Sequence, residues 1–214
     1  MNIIIKKVRL VAAPGPAFVG TRFGIRITDA AHPCFGFSSG SLADDCEFVR
    51  IDWGDGTVED VPHAGGTLHE YAACGDYEVK ITDSIKLLRV SSNEEGSTYR
   101  ESVAPALRTV VCNATRLRTL RKDCFSNCRN LILADFDAAA LEKIGSLTFA
   151  DCYGLNGELR LMTVSDILNT EPFRNCPNVT AVVFSSVNEA AIKATDAYLD
   201  DPHLGLPDAE VKFV

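Results

Sequence analysis

Apolar and polar residues follow one rule in the first half of the chain and another in the second. In the first half they alternate. Val49, Ile51 and Trp53 are separated by single polar residues, as are Tyr77, Val79 and Ile81. A period of two places one face of a strand in a core and the other in solvent. The pattern predicts strands at both places and over 2–11 and 22–29, with Gly54-Asp55-Gly56 and Gly75 supplying turns at strand ends. Several short strands with regular turns predict a β-sandwich over 1–104. The Gly- and Ser-rich stretch 34–46 reads as a loop. A polar segment over 93–106, which carries Pro105, marks the junction with the second half.

In the second half the pattern repeats at an interval of 24 residues. Phe125, Phe149 and Phe173 keep that step, as do Cys128, Cys152 and Cys176, then Leu131, Leu155 and Val179, and upstream Leu120, Ile144 and Leu168. A period in the twenties is the mark of a solenoid, in which each unit buries its face only against its neighbours. The apolar runs 107–112, 131–136, 159–162 and 179–184 are the expected strands, stacked in parallel about 4.8 Å apart. The Phe-x-x-Cys turn then forms the opposite wall, with the Phe, Cys and Leu ladders inside. The second unit breaks step, because Glu158 and Arg160 fall where Ala134 and Phe136 point inward. A slip of one residue at Asn156-Gly157, both tolerant of positive φ, returns Leu159 and Leu161 to the interior and predicts a bulge or widened turn there.

Beyond 185 the repeat fades. A serine able to cap, and Glu189 with Lys193 four residues on, predict a helix over 186–199. A last strand is expected over 209–214, in an atypical unit that closes the stack. The expected fold is mainly β with short helices: an N-terminal β-sandwich followed by a short repeat solenoid over 105–214.

Composition narrows the function classes. The chain has 214 residues, 46% of them hydrophobic, a net charge of −8 and a pI near 5.0. That balance argues against nucleic acid, whose phosphates require clustered Lys and Arg, and equally against an anionic membrane surface. No apolar run approaches the roughly 18 residues of a spanning helix, so no membrane insertion is expected. At the amino terminus Ile3, Ile4 and Ile5 precede Lys6 and Lys7, the reverse of a signal peptide's order, so this segment reads as a strand. The eight cysteines are too dilute for a disulfide scaffold.

The residues Trp53-Gly54-Asp55-Gly56-Thr57, His69-x-Tyr71 and Gly75-x-Tyr77-x-Val79 resemble a PKD domain, with the match running over about 48–83. The second half resembles the BspA-like leucine-rich repeats of bacterial and protist surface proteins, over about 107–184, on the strength of three Phe-x-x-Cys-x-x-Leu cores. The first resemblance implies an immunoglobulin-like sandwich with a structural turn at Trp53, Gly54, Asp55, Gly56, His69, Tyr71, Gly75 and Tyr77. The second implies surface adhesion, with host-derived matrix proteins or glycans as partners. Both imply a cell-surface, extracellular or virion location, although no signal peptide is seen and the cytoplasm stays open.

Candidate chemistry is sparse. Cys128, Cys152 and Cys176 on adjacent units fall within disulfide range, but three equivalent thiols cannot all pair, and an inward thiol packs as a small hydrophobe. Cys124 and Cys128 lack a second ligand pair at zinc-finger spacing. Cys34 and Cys46 could close a loop in an oxidising space. Asp52 and Asp55 flank a glycine turn and are expected to accept its amides rather than hold calcium. His63, His69 and Glu70 have no nucleophile motif beside them, so no enzyme activity and no cofactor or metal are expected. The expectation is a non-enzymatic protein that presents the exposed strand face of its repeats, Thr109, Val111, Leu133, Asp135, Arg160, Met162, Val183 and Ser185, to a protein or glycan. Its rivals are a structural or docking subunit of a phage particle or extracellular assembly, and an enzyme assembled from the acidic residues and histidines.

Overall fold

The computed structural model describes residues 18–31, 33–62, 66–90 and 104–214, so the strand expected over 2–11 and most of the expected junction lie outside the described residues. The fold is mainly β with mixed sheets. In the first half, strand β1 (Gly20–Ile27) turns Phe23, Ile25 and Ile27 inward and Arg22, Gly24 and Arg26 outward. Strand β2 (Cys34–Leu42) corrects the loop expected over 34–46, for Phe35, Phe37 and Ser39 alternate on its buried face. Glycine and serine between them mask the period, and register irregularities between Ser39 and Leu42 take up Gly40. Strands β3 (Val49–Asp52) and β6 (Gly75–Thr82) follow the alternation that predicts them, burying Val49, Ile51, Val79 and Ile81. Strands β4 (Val58–Val61) and β5 (Gly66–Glu70) are exposed sheet edges, and β7 (Ile85–Arg89) completes this half.

The second half supplies strands β8 (Leu107–Cys112), β10 (Leu133–Phe136), β12 (Gly157–Arg160), β14 (Val179–Phe184) and β15 (Glu210–Phe213) on one side. On the other side lie two-residue strands β9 (Thr119–Leu120), β11 (Lys143–Ile144) and β13 (Asp166–Ile167). The first sheet runs β4-β3-β6-β1-β8-β10 and the second β5-β2-β7-β9-β11-β13. Both therefore cross between the regions expected as separate domains: β8 pairs antiparallel with β1, and β9 pairs parallel with β7. One hydrophobic core, from Phe23 to Ala209, runs through both regions.

The 24-residue ladders are interior. Phe125, Phe149, Phe173, Cys128, Cys152, Cys176, Leu131, Leu155 and Val179 are all buried. The rings of Phe125 and Phe149 stack at 5.2 Å, and those of Phe149 and Phe173 at 5.7 Å. Backbone bonds carry the same step, from Phe125 N–H to the Thr148 carbonyl at 2.7 Å and from Phe149 N–H to the Pro172 carbonyl at 2.8 Å. Two backbone positions repeat in the left-handed region as well: Asp123, Leu147 and Glu171, then Asn127, Asp151 and Asn175.

Four expectations are corrected in this half. Leu168 is 37% exposed, and Ile167 takes its buried place, because Ile144 pairs with Ile167 one residue short of the repeat. The strands do not form one continuous ladder. β8 and β10 belong to the first sheet, while β12-β14-β15 form a third sheet beside it. The expected slip lies at this break: Gly157 has φ 81°, the register shifts between Gly157 and Glu158, and Leu159 and Leu161 are buried. The strand expected over 159–162 accordingly occupies Gly157–Arg160. The single helix expected over 186–199 is a 3-10 turn (Ser186–Asn188) and two helices, α1 (Glu189–Lys193) and α2 (Asp196–Asp200). Thr195 divides them, because its extended backbone and its hydroxyl, which accepts from Tyr198 N–H at 3.3 Å, cap α2.

After these helices a turn over 203–209 leads into β15. Leu206 N–H bonds the His203 carbonyl at 3.0 Å and Ala209 N–H bonds the Leu206 carbonyl at 3.2 Å. That is the spacing of the Phe-x-x-Cys-x-x-Leu turns, without their Phe and Cys, and β15 follows it.

Candidate binding face

The outer face of the first sheet gathers four of the eight residues named from the sequence. Thr109 stands opposite Leu133 and Val111 opposite Asp135, on the parallel pair β8 and β10. Leu133 is 48% exposed, a large apolar side chain in the open. On the other side of β8, Gly24 stands opposite Thr109 and Arg22 opposite Val111. Gly24 has a steric reason to lack a side chain, because a Cβ there would lie 2.4 Å from Thr109 Oγ1. A flat strip of Gly24, Thr109, Val111 and Leu133 results, uncharged along its length and edged by Arg22 and Asp135.

Beyond the strip the same face is covered by ion pairs, most of them between strands. Arg26 and Asp76 form a two-bond pair, 2.6 Å at its shorter contact, and Arg50 and Asp60 another, with contacts of 2.8 and 2.7 Å. Lys80 lies 3.2 Å from Glu78 and 4.0 Å from Asp52. The arginine partners hold the carboxyls of Asp76 and Asp60 below their ordinary range. These pairs occupy their own charges, so the strip is the part of the face without such cover.

The other four residues are placed differently. Arg160 is on the third sheet and bonds Glu158 at 2.8 Å and the Met162 sulfur at 3.8 Å. Met162 follows the end of β12, and Ser185 caps the 3-10 turn by accepting from Val187 N–H at 3.3 Å. Val183 corrects the expectation outright, being 1% exposed. It stands between Arg160 and Lys212 in the register of β12-β14-β15, on the central strand of that sheet. Arg22, Gly24, Arg26 and Lys80 were missed by sequence reasoning. Their signal was the outward half of the same alternation that buries Phe23 and Ile25.

The residues expected at the structural turn meet in a second cluster. Trp53 and Tyr71 are fully buried, and the His69 ring stacks on Trp53 at 4.8 Å and meets Tyr71 edge-on at 4.7 Å. Tyr71 packs on Tyr77 at 4.3 Å and donates its hydroxyl to the Trp53 carbonyl at 3.1 Å. His69 Nε2 bonds Asp55 Oδ2 at 2.8 Å, while Asp55 Oδ1 accepts from Thr57 N–H at 2.9 Å. Asp52 accepts from Gly54 N–H at 3.0 Å, as expected of a carboxylate beside a glycine turn. Burial pushes the Asp55 carboxyl up, but the bonds from His69 and Thr57 outweigh it and hold Asp55 below the ordinary carboxylate range. Burial raises the Tyr71 hydroxyl well above its usual value. The arrangement ties the β3–β4 turn to β5, with the imidazole face used for packing. Gly54, at φ 82° with the Glu78 carbonyl 2.5 Å from where its Cβ would stand, allows the turn to press against β6. Gly56 shares the turn at φ 98° and Gly75 opens β6.

Among the described residues no group of three or more His, Cys, Asp or Glu is placed to hold a metal ion, and no helix is long and apolar enough to cross a membrane. His63 lies outside the described residues. Compared with known proteins, the chain matches no family model, no curated protein and no solved structure.

Proposed function

We propose that this chain is a non-enzymatic binding protein, a β-sandwich joined to a short leucine-rich-repeat stack, that presents the outer face of its first sheet to a protein or glycan. The observation that carries the reading is the uncharged strip Gly24–Thr109–Val111–Leu133, left open on a face whose neighbouring charges are paired. A sugar ring or a flat protein surface lays its apolar side on such a strip and directs hydroxyls or amides to the bordering Arg22 and Asp135. The strip belongs to both halves, which gives the sandwich a share in recognition rather than only the capping of the repeats.

The test is a binding screen of the purified chain against extracellular-matrix proteins and a glycan panel, repeated with Leu133→Asp and Arg22→Glu. The expected result is a ligand whose affinity falls at least about tenfold, or ~1.4 kcal/mol, in each variant. Arg160→Glu on the third sheet should leave it unchanged. Binding that ignores the strip variants but responds to Arg160→Glu overturns the assignment of the face. Recovery of the protein only in released particles, rather than on intact cells, replaces adhesion with a docking role in an assembly.

A further inference from the structure

The cysteine ladder is uniform in sequence but not in surroundings. Cys152 has a full unit stacked on each side, and Cys128 and Cys152 are wholly buried. Cys176 is the last of the three, and the closing turn laid over it carries Leu206 in place of Phe and Cys. The imperfect fit leaves a cavity of about 180 Å³ lined by Cys176, Pro177, Val179, Leu206 and Ala209 among others. Cys176 is 2% exposed where Cys128 and Cys152 are 0%, and it borders this cavity.

Its nearest chemical neighbour is Cys152. The turns of these two units are joined by Asp151 N–H to the Arg174 carbonyl at 2.8 Å. Cys176 Sγ donates to the Phe149 carbonyl oxygen at 2.9 Å, and that same oxygen accepts from Cys152 N–H at 3.3 Å. The Cys176 sulfur thus sits beside the Cys152 backbone, and adjacent parallel segments about 4.8 Å apart fall within the Cα range of a disulfide. The two thiols also differ in acidity. Cys152 Sγ donates to the Phe125 carbonyl at 3.1 Å, and the neighbouring Cys152 thiol lowers the Cys176 thiol against the burial that opposes it, while Cys176 and burial hold the Cys152 thiol well above its usual value.

We propose that Cys176 is a peroxide-accessible modification site, and that its oxidation closes a disulfide with Cys152 which staples the last two full repeat units together. Hydrogen peroxide is the oxidant. The Cys176 thiolate attacks one peroxide oxygen, the O–O bond breaks, and the departing hydroxide takes up the thiol proton as water, leaving a sulfenic acid. The Cys152 sulfur attacks that sulfenic sulfur, the S–O bond breaks, and hydroxide leaves as a second water with the Cys152 proton. Two thiols and one peroxide become one disulfide and two waters, with two electrons passing from sulfur to oxygen.

The experiment is peptide mapping of the full chain after graded peroxide, with free thiols alkylated before unfolding and again after it. Trypsin places Cys152 and Cys176 on separate peptides, bounded by Lys143, Arg160, Arg174 and Lys193, and leaves Cys124 and Cys128 together on a third, bounded by Lys122 and Arg129. The expected product links the peptide 144–160 to the peptide 175–193, with Cys124 and Cys128 still reduced. In Cys152→Ser the expected product is a sulfenic acid at Cys176, trapped by dimedone. Cys176 left reduced at a dose that oxidises the exposed Cys74 overturns the proposal, as does a link from Cys152 to Cys128. The wild-type map decides the matter even if the variant does not fold.

Discussion

Leu147 has φ 54°, a left-handed conformation that presses Cβ of an ordinary L-residue against the following carbonyl. The same position is filled by Asp123 and Glu171 in the neighbouring units, while the companion left-handed position holds Asn127, Asp151 and Asn175. Asn and Asp tolerate this region because their short side chains bond locally. Leu147→Asn is therefore expected to stabilise the chain by roughly 0.5–1 kcal/mol, the relief of strain exceeding the small loss of a half-buried apolar side chain. Chemical denaturation that gives a lower midpoint for the variant contradicts this. Asp55 gives a prediction of opposite kind. Its folded carboxyl titrates below the unfolded value of about 3.9, so its contribution is complete above that pH and is lost as the pH falls through the folded pKa. Asp55→Asn should cost about 1–2 kcal/mol at pH 7, the worth of hydrogen bonds to a charged group. The gap from wild type should begin to narrow below about pH 4, as the unfolded carboxyl takes up its proton, and the narrowing is complete only once the native carboxyl is protonated below its folded pKa. Stability curves at several pH values check both the cost and the narrowing.

Among elements, the Phe stack is the part the chain declares most openly. Its 24-residue step survives in the structure because each ring packs on the ring of the next unit. Phe149 has both, and Phe136 meets it edge-on at 6.1 Å; Phe173 stacks on Phe149 alone. Phe149→Ala is expected to cost 3–5 kcal/mol, roughly the range for a buried aromatic, and more than Phe173→Ala, whose neighbours on the closing side can relax into existing space. Equal costs would mean that the closing turn supports Phe173 as well as a full unit does. The slip at Gly157 was legible for a related reason: two charges stood where two apolar residues were required. Where no such conflict existed, the reading failed. Leu168 is as apolar as Ile167, so nothing in the residue types shows which one turns inward. The closing turn at 203–209 keeps the spacing but loses the Phe and Cys that advertise it, and the helices before it reset the interval. Strand β2 was hidden because glycine and serine carry no hydrophobic signal, even though Phe35 and Phe37 alternate between them.

In the whole molecule, what a local pattern cannot show is which distant strands meet. β1 and β8 are separated by about eighty residues, yet they pair over Thr21–Ile25, and Asn113 adds to the seam by accepting from Gly20 N–H at 3.0 Å and donating to the Phe18 carbonyl at 2.8 Å. The expected boundary near residue 104 is thus a boundary of sequence pattern, across which sheets and core continue. Gly24 of the candidate strip and Arg22 at its border were missed for this reason, since they reach Thr109 and Val111 only through that pairing. The continuity has a consequence for stability. Trp53 is the chain's single tryptophan and lies wholly buried in the first half, so its fluorescence reports that half alone. Two halves folding independently would leave the Trp53 transition unmoved by a cavity in the repeats. Shared sheets make the opposite outcome the expected one: Phe149→Ala should lower the denaturant midpoint of Trp53 fluorescence and of far-ultraviolet circular dichroism together, with the two curves coinciding in both proteins, as a single cooperative transition requires. A variant in which circular dichroism shifts while the Trp53 curve stays in place would show that the β1–β8 seam yields before either half, and that the two halves behave as separate folding units.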